Sequence, residues 1–576
     1  METPSCIIGL NDGFGATACS LNNGAPRLMI AEERFNKKKN SSGVPEAAFN
    51  WMLEKEDLKL DEIDAIGIPW ESIPFRGISD YKKSRHKYFD LLNRFLPSSL
   101  IGNDLLIGNV VNFYKSKRAF LPDFQPFFEK HQLKNKKIDI WNHHQCHAAA
   151  ALYASSFPQN DKEALVITLD GSGDGDCMTI WKSRGFKMER LARQNSYHSI
   201  GIMVARLTQM MGMKPHEHEY KLMGMSPYGG GFGAEAAYQI FKKYFRLSDD
   251  GLRLENTMGV WGEGMVLKMH KDFFQVRFDS ICYGIQKLLE ELVTTMVLNW
   301  VKHTGIKNVV VGGGVFMNVK LNMILSQRDE IDDFYVIPSC GDDSIALGAA
   351  YLSQEKYYPE TSKPLDQLYL GYQIDEDEIL QALKHHKSDV QWEKVDDIAD
   401  RVADLLSKDR IVARCNGRSE WGARALGNRS IMCNPSNAHN IHRINKAVKK
   451  RDFWMPFCPS ILEDHASVYL DNPKQREAPY MILAFNTHEK AAKDIICGLH
   501  PFDKTARPQI VKEKNNPKYF KLLTAFHQKS GIGGIVNTSF NLHGLPIVND
   551  AEDALHVLLN SELDFLAIED YLVWRS

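Results

Sequence analysis

The sequence places two histidines, His143 and His147, four residues apart at the head of an alanine-rich run, HHQCHAAAALY. On a helix that spacing puts both imidazoles on one face, where they can share a metal ion. His144 points elsewhere, and it stands where a zinc-protease pattern would need glutamate. A metal needs further ligands. Asp170, in ALVITLDGSGDGD, and Asp342, in YVIPSCGDDSIALG, each follow an apolar run and have glycine neighbours. Carboxylates held there could complete a nitrogen–oxygen set. The competing reading is two polar helix residues beside a core of alanines.

Gly312, Gly313 and Gly314 follow the run NVVV. They could merely allow a turn, or let backbone approach a nucleotide closely. Asn318 and Asn322, nearby, could bond ribose or base. Four such loops end strands in this half, and strand ends are where α/β folds bind ligands. Further on, GRSEWGARALGNRSIM carries Arg418, Arg424 and Arg429, and VKKRDFWMPFCPSIL carries Lys449, Lys450 and Arg451. DKTARPQIV adds Arg507 and Gln509, and NTSFN supplies Asn537 with further amides and hydroxyls. Guanidinium groups grip phosphate or carboxylate through paired donors, so the cluster suits an anionic small molecule. For any single arginine, a solvated basic face is the bland alternative.

The elements that hold these groups follow from the patterning. SCIIGL and ATACSL flank NDGFG as a predicted hairpin. Ile285, Leu288, Leu289, Leu292, Val293 and Met296 recur at helical spacing. Strands alternating with helices predict an α/β class. Two of the glycine turns return directly into strands, which disfavours a strand-turn-helix dinucleotide fold and fits a split nucleotide-binding core. The polar, proline-bearing stretch 355–372 reads as a linker. The part beyond it has its own strand, GIGGIVNTSF, and helix, AEDALHVLLN.

Composition excludes other classes. The chain is 44% hydrophobic and 25% charged, which reads as soluble and folded, and its 70 basic and 72 acidic residues leave a formal charge of -2. That balance argues against nucleic-acid and membrane partners. No secretory pattern and no bilayer-length apolar run is visible. The ten cysteines are scattered and form no CxxC pair, so a reducing cytoplasm is the expected home.

The stretches SEWGARALGNRSIM, VKKRDFWMPFCPSIL, NTSFNLHGLPIV, EYKLMGMSPYG and HHQCHAAAALY together resemble the nodulation and antibiotic O-carbamoyltransferases. The N-terminal part is similar to the tRNA threonylcarbamoyl-transfer protein. The resemblance implies an actin-like ATPase (duplicated ribonuclease H-like) domain over 1–357, a linker over 358–369, and a second α/β carbamoyltransferase domain over 370–576. It implies formation of carbamoyl adenylate from ATP and carbamoyl phosphate in the second domain. Transfer to a small-molecule acceptor, a natural-product hydroxyl or an amine, would follow in the first. The family's metal residues fall on His143, His147, Asp170 and Asp342, with iron the implied ion and manganese, magnesium or zinc as substitutes. Gly171, Lys221, Gly313, Gly314 and Asn318 would serve the nucleotide. Arg424, Arg429, Lys449, Arg451, Arg507 and Asn537 would serve adenylate formation. A homodimer is compatible with the family. A tRNA-modifying enzyme and a non-catalytic homologue that binds nucleotide and metal are the alternatives.

The chain departs from the family at one telling place. Where the family has His-Asp-Ala-Ser, this sequence has Phe14, Gly15, Ala16 and Thr17. Phenylalanine takes no proton. Another group such as Asp12 or His198 would then do that work, or the acceptor is a better nucleophile such as an amine, or the second step is lost or uses a different activated group. Alanine at 423 and serine at 344 also replace the family's proline and glycine.

Overall fold

The computed structural model describes residues 5–56, 58–72, 74, 104–449 and 451–576; Lys450 lies outside them. The chain divides into two compact units, Met1–Glu32 with Asn40–Leu365, and Glu33–Lys39 with Asp366–Ser576. The division falls at Leu365/Asp366, within the stretch read as a linker. The short segment Glu33–Lys39, which the sequence reading left in the N-terminal domain, belongs to the second unit. Its Arg34 is buried there and donates to the Ile547 carbonyl at 3.0 Å.

The first unit contains two five-stranded sheets. One holds β1 (Cys6–Asn11), β2 (Thr17–Asn22), β3 (Ala25–Ala31), β4 (Ala65–Pro69) and β5 (Lys137–Trp141) in the order β3-β2-β1-β4-β5. The other holds β6 (Glu163–Gly173), β7 (Asp176–Arg184), β8 (Lys187–Asn195), β9 (Asn308–Gly312) and β10 (Asp333–Val336) in the order β10-β9-β6-β7-β8. In each, three antiparallel strands run as a meander, and two further strands lie parallel to the first. The two sheets therefore repeat one topology.

Helix α1 (His143–Ala154) follows the last strand of the first sheet but packs on β6 and β9 of the second. The 27-residue helix α2 (Phe278–Thr304) buries the side chains whose spacing announced it. Helix α3 (Ile345–Tyr357) follows the last strand of the second sheet and packs on β1, β2 and β4 of the first, and against α1. Such close layers need missing side chains. A Cβ on Gly348 of α3 would lie 1.9 Å from the Cys146 carbonyl oxygen, so any other residue would force the two helices apart. The alanines of α1 serve the same contact and are wholly buried.

The second unit is built on one eight-stranded sheet. In chain order its strands are β11 (Val390–Lys394), β12 (Val412–Cys415), β13 (Arg429–Cys433), β14 (Cys458–Leu462), β15 (Gln509–Val511), β16 (Gly534–Ser539), β17 (Phe565–Ile568) and β18 (Tyr571–Arg575). They lie in the order β11-β18-β17-β12-β13-β16-β14-β15. Helices α4 (Glu376–His385) and α7 (Ala551–Leu559) contribute Ile379, Leu383, Leu555 and Leu558 to one core. Helices α5 (Ile398–Ser407) and α6 (Pro517–Ser530) contribute Val402, Leu406, Leu523 and Phe526 to another. The unit is thus a second α/β body with a core on each side of its sheet. Among the described residues of both units, no helix is long and apolar enough to cross a membrane.

Candidate functional site

The helix carrying the histidine pair begins at the pair itself. Asn142 caps α1 by accepting from the Gln145 amide at 3.2 Å. Asp174 accepts from the His143 amide at 2.7 Å and from the Ser72 amide and hydroxyl, both at 2.7 Å. These bonds fix the first turn and hold His143 and His147 one turn apart with ring centroids at 4.6 Å. Asp170, near the end of β6, and Asp342, opening a 3-10 turn after β10, converge on them. His143 Nε2 stands 3.4 Å from Asp170 Oδ2, and His147 Nε2 stands 3.5 Å from Asp342 Oδ1. One ligand atom from each of the four residues lies within 4.8 Å of all the others.

The donor set fits a metal ion on the chemistry of its atoms. Both ring nitrogens of His143 and of His147 are buried without a hydrogen-bond partner, an expensive arrangement for groups that serve only the fold. Burial lowers the basicity of His147 and keeps it a neutral ligand. Burial and the adjacent Asp170 charge push Asp342 up, while for Asp170 burial is outweighed by His143 and His147, which hold it low. A divalent cation would relieve this pairing of buried carboxylates. His144, by contrast, is a structural residue. Its Nδ1 contacts the Thr168 hydroxyl at 2.8 Å and its Nε2 the Asp176 carbonyl at 3.0 Å.

Asn11, at the end of β1, ties the neighbouring hairpin to this cluster. Its Nδ2 donates to the carbonyls of Phe14 (3.1 Å) and Asp342 (3.0 Å). Its Oδ1 accepts from Trp70 Nε1 at 3.0 Å, and the Trp70 ring lies 4.2 Å from that of His143. Phe14 therefore stands on the hairpin held beside the Asp342 loop. Against its ring lies His216, with centroids 6.4 Å apart. His216 has a left-handed backbone, φ 65°, and donates its amide to Glu219 at 2.6 Å. Burial lowers its imidazole to about 4, with the charges of Arg206 and Asp170 within electrostatic reach. Asp12, one alternative named above for the missing proton acceptor, is engaged with an arginine. It is buried in an ion pair with Arg118 at 2.5 Å. His198 accepts from the Asn256 amide through Nδ1 at 3.1 Å.

The residues expected to serve a nucleotide separate into two kinds. Gly313, at φ 96°, and Gly314 place backbone against β6, and the Gly314 amide donates to Asp170 Oδ1 at 2.9 Å. A Cβ on Gly171 would meet nothing within 4 Å, so that stretch faces open space. Lys221 lies half-buried on the helix Glu219–Met225. Asn318 is engaged in the fold: its Oδ1 caps a helix by accepting from the Leu321 amide, and its Nδ2 donates to Gln286 at 2.8 Å. Asn322 is buried and donates to the Phe316 carbonyl at 2.7 Å.

In the second unit the cationic residues also part company. Arg429, fully buried, spends its terminal nitrogens on backbone carbonyls, among them Gly417 at 3.1 Å, Asn428 at 2.9 Å and Tyr372 at 3.0 Å. Lys449 is buried too. Its ammonium donates to the Ser539 carbonyl, to the Ser539 hydroxyl at 3.0 Å and to Asn541 Oδ1 at 2.6 Å, and burial depresses its pKa well below the usual lysine range. Arg451 donates to the Pro456 carbonyl at 3.1 Å and lies 5.2 Å over the Phe457 ring.

Arg507 is different. Its Nη1 reaches Thr505, but its Nη2 as well as its Nε is buried without a partner; Arg424 and Arg429 each leave only Nε so. Burial lowers the pKa of the Arg507 guanidinium, with the Arg424 charge adding to the effect. Asn537 on β16 donates to the carbonyl of Ala425, which follows Arg424 in the chain, and to Ser460 Oγ, each at 3.0 Å, and its Oδ1 is left over. Glu420, which the sequence reading passed over, shapes the loop by accepting the amides of Leu426 (2.6 Å), Asn428 (2.8 Å) and Arg429 (3.2 Å).

Comparison with known proteins agrees with this division into two parts. A model described as carbamoyltransferase N-terminus matches residues 7–351, and one described as carbamoyltransferase C-terminus matches residues 403–575. An uncharacterised protein of Methanocaldococcus jannaschii is 30% identical over 95% of each chain. Nodulation protein NolNO of Sinorhizobium fredii is 29% identical over 98% of this chain and 79% of its own. The 3'-hydroxymethylcephem-O-carbamoyltransferase of Amycolatopsis lactamdurans is 28% identical over 42% of this chain and 44% of its own. With both family models matched in order along one chain, this protein belongs to the carbamoyltransferase family of enzymes.

Proposed function

We propose that this enzyme is an ATP-dependent carbamoyltransferase working in two steps. The second unit would form carbamoyl adenylate from carbamoyl phosphate, water and ATP: water cleaves carbamoyl phosphate to carbamate and phosphate, and a carbamate oxygen attacks the ATP α-phosphorus and expels pyrophosphate. The first unit would transfer the carbamoyl group to a hydroxyl, or an amine, of a small natural product. The observation that carries the first step is the unspent hydrogen-bonding capacity of Arg507 and Arg424. The buried Nε and Nη2 of Arg507 and the buried Nε of Arg424 have no protein acceptor, and such donors suit a phosphate or carbamate oxygen. Asn537, with a free carbonyl oxygen, suits the carbamoyl NH2. Arg451 adds positive charge, while Arg429 and Lys449 hold the loop and strand that present these groups.

The chemistry explains why two steps are needed. Nitrogen donation makes a carbamoyl carbon a poor electrophile, and adenylation gives it a better leaving group. In the first unit, His143, His147, Asp170 and Asp342 would hold a divalent metal, iron first, with manganese, magnesium or zinc as substitutes. When bound, such an ion supplies Lewis acidity to a carbonyl or phosphoryl oxygen. Gly171, Gly313, Gly314 and Lys221 would receive the nucleotide. His216 stands against Phe14 and would orient the attacking hydroxyl through its neutral imidazole, a weak base because burial lowers it to about 4. The repeated strand order of the two sheets supports reading the first unit as a duplicated actin-like fold. The ten free cysteines suit a cytoplasmic setting.

The test needs no acceptor. Purified protein is mixed with ATP, carbamoyl phosphate and iron or manganese, and the products are analysed by mass spectrometry and pyrophosphate release. Carbamoyl adenylate is the expected product. Its absence from folded, metal-loaded protein would overturn the first step.

A further inference from the structure

The second unit carries another group of metal-ligating side chains, remote in sequence from the first. Helix α4 ends in His385, followed directly by His386, and α7 packs beside it with Glu552 in its first turn. His385 Nδ1 lies 3.1 Å from Glu552 Oε1, and His386 Nε2 lies 2.9 Å from Oε2. One donor atom from each residue lies within 4.8 Å of the others. We propose that His385, His386 and Glu552 form a second divalent-metal site, selective for a borderline transition metal such as zinc, nickel or copper.

The geometry is close to what such an ion requires. Ligands at about 2.0–2.1 Å around a tetrahedral zinc sit roughly 3.4 Å from one another, near the 3.1 and 2.9 Å between each imidazole and the Glu552 carboxylate, and the two imidazoles, within 4.8 Å, would turn toward the ion. The ion would replace two histidine–carboxylate hydrogen bonds with three coordinate bonds. Two imidazoles and one carboxylate favour zinc, nickel or copper over calcium and magnesium, which prefer all-oxygen shells. Asp389 Oδ2 lies 3.8 Å from the other nitrogen of His386, on the side where a carboxylate orients a coordinating imidazole.

The helices that carry the ligands are already fastened together. Glu378 of α4 accepts the Ala551 amide at 2.9 Å and the Tyr372 hydroxyl at 3.0 Å. Binding therefore costs little backbone ordering. The His385 side chain is 73% exposed and Glu552 52%, while His386 is 23% exposed. Water would fill the remaining coordination position, and the ion would exchange with solvent. Its effect would be to clamp α4 to α7 and stabilise the second unit.

The competing account is an ion pair between protonated histidines and Glu552, with no affinity for metals. The experiment uses the full chain carrying His143→Ala and His147→Ala, which silences the centre in the first unit. The chelator-stripped protein is titrated calorimetrically with zinc, and with cobalt(II) as a visible-band probe. One saturable equivalent is expected, with a cobalt spectrum of tetrahedral character and a zinc-dependent rise in Tm. Glu552→Gln and His385→Ala, both at exposed side chains, should each weaken binding at least tenfold. No saturable binding, or binding that both substitutions leave unchanged, would overturn the site and leave an adventitious surface ion only.

Discussion

The imidazole of His216 faces the phenyl ring of Phe14 at 6.4 Å between centroids, with the planes inclined by 62°. Phe14 occupies the hairpin position where the family's histidine is missing, and His216, on a different loop, is the imidazole proposed to stand in for it. Removing it should separate the two half-reactions. In His216→Ala, carbamoyl-adenylate formation and metal content should be unchanged, while transfer falls about 100-fold or more. A hydroxyl acceptor should suffer more than hydroxylamine, which attacks without a base. Equal loss of adenylate formation and transfer would show that His216 serves folding instead. Phe14→His in the His216→Ala background should restore part of the transfer rate.

The proposed metal ligands carry a separate prediction. His147 offers two buried nitrogens with no other partner, so His147→Ala removes a ligand without breaking a hydrogen bond. Metal affinity should drop by more than the roughly 10- to 100-fold typical of losing a supporting residue. The circular dichroism spectrum should be preserved, and the pyrophosphate-releasing step should continue. Elemental analysis of the purified variant reads the first effect directly. Full retention of metal and transfer would remove His147 from the ligand set.

Parts of this centre were legible in the sequence and parts were not. The four-residue spacing of His143 and His147 is a property of one helix, so pattern alone exposed it. Asp170 and Asp342 were legible because glycines beside a carboxylate at a strand end are local signals. His216 was not. Its value comes from a left-handed backbone and from the hairpin opposite, and only the HEHEYK string hinted at it. The same limit explains the cationic residues of the second unit. Arg429 and Arg507 look alike in sequence, and only tertiary burial against carbonyls distinguishes them. The repeat of one sheet topology was expected only from the family resemblance and not from the pattern of residues, because strand order is set by pairing between distant segments.

Asp176 gives the protein a pH-dependent stability. Its carboxyl is pushed up to about 6, chiefly by burial, despite Arg193 at 3.6 Å. The folded state thus binds a proton that the unfolded state releases near pH 4. The stabilisation from this group is complete below the unfolded value and is lost as pH rises through the folded one. Asp176→Asn replaces the carboxyl with a neutral amide and should remove that loss. Urea denaturation midpoints at about pH 4 and about pH 8 should show the variant gaining roughly 1–3 kcal/mol over wild type at the higher pH. A difference that does not change with pH would place the burden elsewhere.

Arg507 and Arg429 should respond oppositely to the same substitution. Arg507 is 5% exposed and keeps two buried nitrogens unspent, whereas Arg429 gives its terminal nitrogens to carbonyls of the loop 416–428, Tyr372 and Asn549. Arg507→Ala removes a buried charge that has no strong protein partner, so folding should be little weakened. The KM for carbamoyl phosphate should instead rise on the order of tenfold or more, as expected for a lost charged hydrogen bond. Arg429→Ala strands several buried carbonyls at once and should cost roughly 3–5 kcal/mol of stability, read as a fall in Tm. Activity of the fraction that remains folded should keep a near-normal KM. If instead Arg429→Ala folded normally with a raised KM, Arg429 would belong with the substrate-binding groups, and its carbonyl contacts would be incidental to the role of the loop.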